Sequence, residues 1–284
     1  MFKRKEKKQP QKEFTEMDMP HNRFQVFWDL FKHRSRFLLI ISFYNLMFVL
    51  PLFLWNAFMN QAIWNLIGET EKNMGTILSY VCTKDAISVV CSMFLGFSIA
   101  GSFKIIQKLA WQEITFPSDF WKGLKENGWK DMFPMAVIGL SYWLAECCYY
   151  CMLIDVINEY MSALVFAISV ILLCFISVWM IFNMIQTNFY KLSFAQKMKN
   201  GFFFALKSFL PMLGIILCFF AVPIVFWCLN ALLYEIIADV LITFLFAYFL
   251  LAAYLCANWK FDQLINREQF PDIVDKGIVR LTKK

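Results

Sequence analysis

The chain has 284 residues, of which 60% are hydrophobic and 19% aromatic, and its mean hydropathy is +0.55. Soluble globular proteins are roughly 45–50% apolar, so this composition indicates a membrane protein and excludes an ordinary soluble domain. The net charge of +6 is modest and does not predict nucleic acid as a partner.

The N-terminal region is basic and polar. Residues 1–19 are followed by no apolar stretch with a small-residue cleavage site, so we predict a disordered tail and not a cleaved signal peptide. Residues 20–36 then place four aromatic side chains at the i, i+3, i+4 and i+7 spacing of one helix face: Phe24, Phe27, Trp28 and Phe31. This spacing predicts an amphipathic helix in the membrane interface, with its aromatic face toward lipid or toward the bundle.

Six apolar stretches approach or exceed the length of about 20 residues that crosses a hydrocarbon core of roughly 30 Å. The predicted spans are residues 37–59, 87–103, 132–154, 162–185, 209–229 and 236–257. Together with the amphipathic helix they form one membrane domain, residues 20–260, followed by a C-terminal tail at residues 261–284. The fold class predicted is therefore an all-α polytopic helical membrane protein with six transmembrane helices.

Lys and Arg are distributed unevenly between the segments that join these spans. Of the 27, 25 fall in the two terminal regions and in the segments 104–131 and 186–208. The other two, Lys72 and Lys84, fall in the segment 60–86 on the opposite side. Because Lys and Arg are enriched in cytoplasmic loops, we predict that both termini are cytoplasmic.

Two polar segments, residues 116–134 and 193–211, share one pattern. Each begins near a serine, continues with helical apolar spacing and ends in Pro-Met, with a glycine a few residues later. Ser118 is a candidate N-cap, and Ser193 with Gln196 has the spacing of a capping box. We predict two cytoplasmic amphipathic connector helices within a parallel duplication.

Five short motifs carry a resemblance to a known family. They are NLMFVLP at residues 45–51, IAGSFK at 99–104, DFW at 119–121, KEN at 125–127 and NFYKL at 188–192. In these motifs, and over about residues 24–260, the chain resembles the YesL-like family of bacterial multi-pass integral membrane proteins. It departs from the family at residues 99–101, where a Gly-Pro is usual, and in its longer segment 60–86. The resemblance implies a bacterial cytoplasmic membrane, no established molecular function and a link to carbohydrate uptake systems.

Glu146 is the strongest candidate for a functional residue. It lies nine residues before Asp155, about 13 Å along a helix from the outer end of its span. A carboxylate at this depth is costly, which favours contact with a proton, cation or substrate. The alternatives are a neutral structural side chain or one that reaches the outer interface. No Lys or Arg lies in the central part of any predicted span, so we expect Glu146 to be protonated or bound to a cation and not paired with a basic residue.

Asn45, in the first span, is the second candidate intramembrane polar residue. Amides in spans most often join helices through hydrogen bonds, and we favour that role for Asn45 over ligand binding. The lone CxxC of Cys148 and Cys151 and the two histidines ahead of the spans do not form a metal pattern. We predict no metal and no cofactor.

The sequence leaves several functions open. It has no HExxH, GxSxG or Walker A motif, so we predict that the protein is not an enzyme. The leading hypothesis is an accessory or partner-binding subunit, linked through the resemblance to a membrane transport complex. The alternative is a small-solute transporter or channel with Glu146 in its pathway. A cavity lined by Glu146 and Asn45 would favour transport, and a solid core with an apolar cytoplasmic groove would favour a subunit. Besides lipid, no partner and no oligomeric state is predicted.

Overall fold

The computed structural model describes residues 19–67, 74–153, 159–227 and 232–279. The predicted tail up to residue 18, three connecting segments and the last five residues lie outside this part of the chain. Seven helices follow in order: α1 Arg23–His33, α2 Ser35–Ile67, α3 Met74–Ala110, α4 Ser118–Leu153, α5 Glu159–Phe189, α6 Phe194–Trp227 and α7 Leu232–Phe261. Short helical turns at Asp262–Asn266, Arg267–Gln269 and Pro271–Ile273 complete the described chain.

Six of these helices, α2 to α7, are long and apolar enough to cross a membrane. No strand occurs among the described residues. The predicted all-α polytopic fold with six spans is confirmed. Segments that cross the membrane form helices because a helix satisfies its own backbone hydrogen bonds, and lipid offers no groups that could do so.

The helices are longer than the predicted spans, and α3 differs most. It has 37 residues, about 55 Å at 1.5 Å per residue, whereas the predicted second span covers residues 87–103. The predicted span begins at Ile87, just after Lys84 and Asp85. The structure places both charged residues inside α3, so the helix begins well before the predicted span.

The two ends of the described chain meet on one face of the bundle. The backbone N–H of Val279 donates to the carbonyl oxygen of Pro20 at 3.1 Å, and the His21 ring lies 2.9 Å from the carbonyl oxygen of Val279. We call this end of the bundle the terminal face. The opposite end, where α2 leads to α3 and α4 to α5, is the loop face. An even number of spans brings both ends of the chain to the same side, so this placement agrees with six spans. The cytoplasmic location of the terminal face stays a prediction.

Helix α1 packs on the bundle through Val26 and Leu30 and also through Phe27, which packs against the core, and Phe31, whose ring centroid lies 5.4 Å from that of Tyr248 in α7. Val26 and Leu30 are buried, whereas Phe24, Trp28 and Phe31 are exposed. The guanidinium of Arg23, also buried, donates to Asp262 at 2.7 Å and ties α1 to the turn after α7. The aromatic face is therefore divided between the two predicted orientations: Phe27 and Phe31 contact the bundle, whereas Phe24 and Trp28 are exposed where lipid can cover them.

The two connectors are parts of the long helices and not separate elements. The first is continuous with its span through Pro134 in α4. The second belongs to α6, where Ser208 breaks the helix with φ −133° and ψ 21°. The capping box is confirmed, because Ser193 accepts from the Gln196 N–H at 3.4 Å and Gln196 accepts from the Ser193 N–H at 3.0 Å. Ser118 is the first residue of α4 and not its cap.

Candidate functional site

A cavity of about 540 Å³ lies in the bundle, lined by residues of α2, α3, α4, α5 and α7 and partly open to the outside. This volume falls within the roughly 300–1,000 Å³ typical of small-molecule pockets. Aromatic side chains form much of the wall: Phe53, Trp64, Tyr142, Tyr149, Tyr150 and Phe166. The polar and charged lining residues are Asn56, Asn60, Asp85, Ser88, Ser92, Glu146 and Asp239.

Glu146 lines this cavity and is paired with a lysine. The ammonium of Lys84 contacts Glu146 Oε1 and donates to Asn60 Oδ1 at 3.1 Å. Lys84 is fully buried, and Glu146 lies 62 residues away in sequence. The expectation that no basic residue could pair with Glu146 was wrong. It failed because Lys84 was assigned to a loop, although a long helix can carry a buried lysine when a carboxylate meets it.

Asp85 adds a second carboxylate beside the same lysine. Its Oδ1 lies 3.7 Å from Lys84 Nζ, and its side chain is only 1% exposed. Both Asp85 carboxylate oxygens, and Oε2 of Glu146, are buried and have no hydrogen-bond partner in the described part of the chain. We call Lys84, Asp85 and Glu146 the charged cluster. It holds two acids and one base, and both acids line the cavity.

Polar contacts between α2 and α3 hold the cluster in place. The indole N–H of Trp55 donates to the carbonyl oxygen of Lys84 at 2.9 Å. The hydroxyl of Ser88 lies 2.9 Å from both Asn56 Oδ1 and the carbonyl oxygen of Lys84. The Lys84 ammonium also lies 5.9 Å from the centroid of the Tyr150 ring, within the range of a cation–π contact. These contacts fix the position of Lys84 along the bundle axis, level with Glu146.

Asn45 lies elsewhere and does not line the cavity. Its amide donates to Ser102 Oγ and to the carbonyl oxygen of Ile41, both at 2.9 Å, and all three groups are buried. The Ser102 hydroxyl in turn lies 3.2 Å from Asn45 Oδ1. This arrangement joins α2 to α3 and leaves no amide group facing open space. The structure thus does not bring Asn45 and Glu146 together, and it favours the helix-joining role for Asn45.

Asp131 is a buried acid that the sequence reasoning did not select. Its side chain is fully buried in α4, near Thr187 and under the influence of the charges of Lys197 and Lys130. Lys197 donates to Thr187 Oγ1 at 3.2 Å, which places α6 against α5 at this level. The residue was overlooked because it ends a polar connector, where an acid is ordinary. The sequence did not reveal that the connector and the following span form one continuous helix, α4, which buries Asp131.

No group of three or more His, Cys, Asp or Glu side chains within the described ranges is arranged to hold a metal ion. Cys148 and Cys151 of the CxxC motif are free thiols that form no disulfide with each other. The charged cluster offers two carboxylates and an ammonium, and these groups form an ion pair between Lys84 and Glu146.

Fold and site together define a multi-pass helical membrane protein with a cavity inside its bundle. Comparison with protein-family models, curated proteins and solved structures finds no match to this chain. The resemblance to the YesL-like family therefore stays a prediction that rests on its motifs.

Proposed function

We propose that this protein is a small-solute transporter whose binding site is the cavity beside the charged cluster. The observation that carries the proposal is that two acids which line the cavity, Asp85 and Glu146, are buried with carboxylate oxygens left unbonded. Ionisable groups inside a membrane bundle are rare and usually mark the path of a substrate or ion. Asp131 is likewise buried with unbonded carboxylate oxygens in the described part of the chain, but it does not line the cavity, so it is the position at the cavity that sets Asp85 and Glu146 apart.

In the half of the bundle next to the terminal face the helices pack closely. This packing supports access of solute to the cavity from the other side only. Gly96 of α3 approaches α4 so closely that a Cβ there would lie 2.6 Å from the carbonyl oxygen of Asp131. Phe120 and Tyr254 are fully buried on the same side. Alternating access requires a state in which the site is reached from one side of the membrane and closed to the other, and we expect this cavity to be reached from the loop face.

The accessory-subunit hypothesis has no comparable support. Helix α6 exposes several large apolar side chains, among them Leu206, Leu210 and Leu217. Lipid covers such a face as well as a partner protein does, so it does not distinguish the two functions. The link to carbohydrate uptake rests on the family resemblance alone. We accordingly rank transport first and an accessory role second.

Orientation is part of the proposal. The predicted cytoplasmic segments hold 25 of the 27 Lys and Arg, so we expect the terminal face to be cytoplasmic and the cavity to be reached from the external side of a bacterial cytoplasmic membrane. Reporter fusions at Lys284 and within residues 68–73 should report opposite sides, with the C-terminus inside. An external C-terminus would reverse the proposed direction of access.

The experiment that tests solute access places one cysteine in the cavity. In a cysteine-free background, Ala57→Cys adds a small thiol to the cavity wall on α2. We expect the membrane-impermeant reagents (2-trimethylammonioethyl) methanethiosulfonate or (2-sulfonatoethyl) methanethiosulfonate to modify it in intact cells. A cavity that holds water lets part of the thiol form the reactive thiolate and admits a small solute.

The matched control is the adjacent Phe58→Cys. Phe58 is 69% exposed on the outer surface of the bundle, where lipid surrounds it and a thiol stays protonated. This variant should resist both reagents. If Ala57→Cys also resists both, the cavity does not admit solutes and the proposed function fails.

A further inference from the structure

We infer that the solute bound in this cavity is an organic cation, such as a primary amine or a quaternary ammonium compound. The inference rests on the proposed solute binding and adds the chemical class of the substrate. It draws on the balance of charge in the cluster, on its unbonded oxygens and on the aromatic residues that line the same cavity.

The balance of charge leaves one acid without a full counter-charge. Lys84 contacts Glu146 directly but stays 3.7 Å from Asp85. Asp85 is fully buried, lines the cavity and has neither carboxylate oxygen hydrogen-bonded in the described part of the chain. A buried carboxylate without hydrogen bonds is costly, and a donor cation entering the cavity would remove that cost.

The shape and lining of the cavity select the kind of cation. A volume of about 540 Å³ far exceeds what a bare metal ion fills, and no metal-binding group of side chains occurs in the described chain. Tyr142, Tyr149 and Phe166 present aromatic rings to the same space as Asp85. Aromatic rings next to a carboxylate are a recurring way to bind an ammonium group through cation–π attraction.

The protein already shows this mode of recognition on its own lysine. The Lys84 ammonium meets one carboxylate, Glu146, and one ring, Tyr150, at 5.9 Å from its centroid. A ligand ammonium between Asp85 and the neighbouring rings would repeat that arrangement. An anionic solute would instead meet three lining acids, Asp85, Glu146 and Asp239, beside the single base Lys84, so we expect anions to be disfavoured.

The test compares the two charged reagents on Ala57→Cys. Each rate of modification is divided by the rate of the same reagent with 2-mercaptoethanol, which removes their intrinsic difference. We expect the trimethylammonium reagent to be at least ten-fold faster than the sulfonate reagent after this correction. Choline should slow the modification, whereas 3,3-dimethylbutan-1-ol, which has the same shape without the charge, should not.

Asp85→Asn identifies the source of the selectivity. This change keeps the size of the side chain and removes its charge, so we expect the ratio between the two reagents to fall clearly below that of the Ala57→Cys protein with Asp85 intact. Glu126→Gln is the matched control, because Glu126 forms an exposed ion pair with Lys104 outside the cavity. It should leave the ratio unchanged.

The outcomes separate this inference from the proposed function. Equal corrected rates for the two reagents, or equal protection by choline and 3,3-dimethylbutan-1-ol, would overturn cation selectivity while solute access stands. Such a result would mean that the extra carboxyl is held neutral by a proton. Should Asp85→Asn not fold, the reagent ratio and the competitor pair in the Ala57→Cys protein still decide the question.

Discussion

The two halves of the bundle differ in what lies beside their buried polar side chains. In the half next to the terminal face, Asn45 bonds to Ser102 and the hydroxyl of Tyr190 bonds to Asn266 at 2.5 Å. Asp131 on the same side is buried with both carboxylate oxygens unbonded in the described part of the chain, but neither it nor the other four residues line the cavity. In the loop half, carboxylate oxygens of Asp85 and Glu146 remain unbonded beside a cavity of about 540 Å³. Satisfied groups fix helices together, whereas unsatisfied groups next to open space are available to a ligand.

Removing the lysine of the charged cluster should have the largest effect. Lys84→Met leaves Asp85 and Glu146 buried without their cation, which typically costs roughly 3–5 kcal/mol for a broken buried ion pair. We expect a fall of that size in the unfolding free energy, measured by SDS titration in mixed micelles. Adding Glu146→Gln to this variant should restore part of the loss, because one of the stranded charges is then gone.

An additive double variant would contradict this account. If Lys84→Met and Glu146→Gln change the unfolding free energy independently, the two side chains are not coupled and the ion pair is not a feature of the folded protein.

The close approach of α3 and α4 should give the second-largest effect. Gly96→Ala would put a Cβ 2.6 Å from the backbone oxygen of Asp131, which cannot move aside without separating the helices. We expect a loss of roughly 1–3 kcal/mol in unfolding free energy, as for other overpacked sites.

Gly214→Ala is the control for this prediction. Gly214 lies in α6, after the Pro-Met of the second connector, and a Cβ there would meet nothing within 4 Å. It should cause no loss of stability. Equal losses for the two alanine variants would show that helical propensity and not helix contact governs both sites.

The terminal half should respond least. Asn45→Ala removes one interhelical hydrogen bond, and such bonds in membrane proteins average about 0.6 kcal/mol. We expect a loss near that value, with the rate of modification of Ala57→Cys unchanged. A large change in that rate would place Asn45 in the solute path after all and remove the distinction between the two halves.

The sequence was sufficient to predict the six spans, because long apolar helices are set by local composition. It also predicted the Ser193 capping box, whose partner lies only three residues away. It did not predict the pairing of Lys84 with Glu146, because the two residues are 62 positions apart and the charge of Lys84 obscured the true start of α3. From sequence alone, charged residues next to an apolar stretch are assigned to a loop, because the distant partner that lets them lie inside a helix is not known.

Direct observation of the cavity in a lipid environment is the strongest test of the central claim. We propose determining the structure in lipid nanodiscs with phenyltrimethylammonium present and comparing it with the same protein without the compound. The account predicts added density between Asp85 and the aromatic wall, with Lys84 still on Glu146. An acyl chain filling the cavity in both samples, or side chains collapsed into it, would contradict the claim that this space is a binding site.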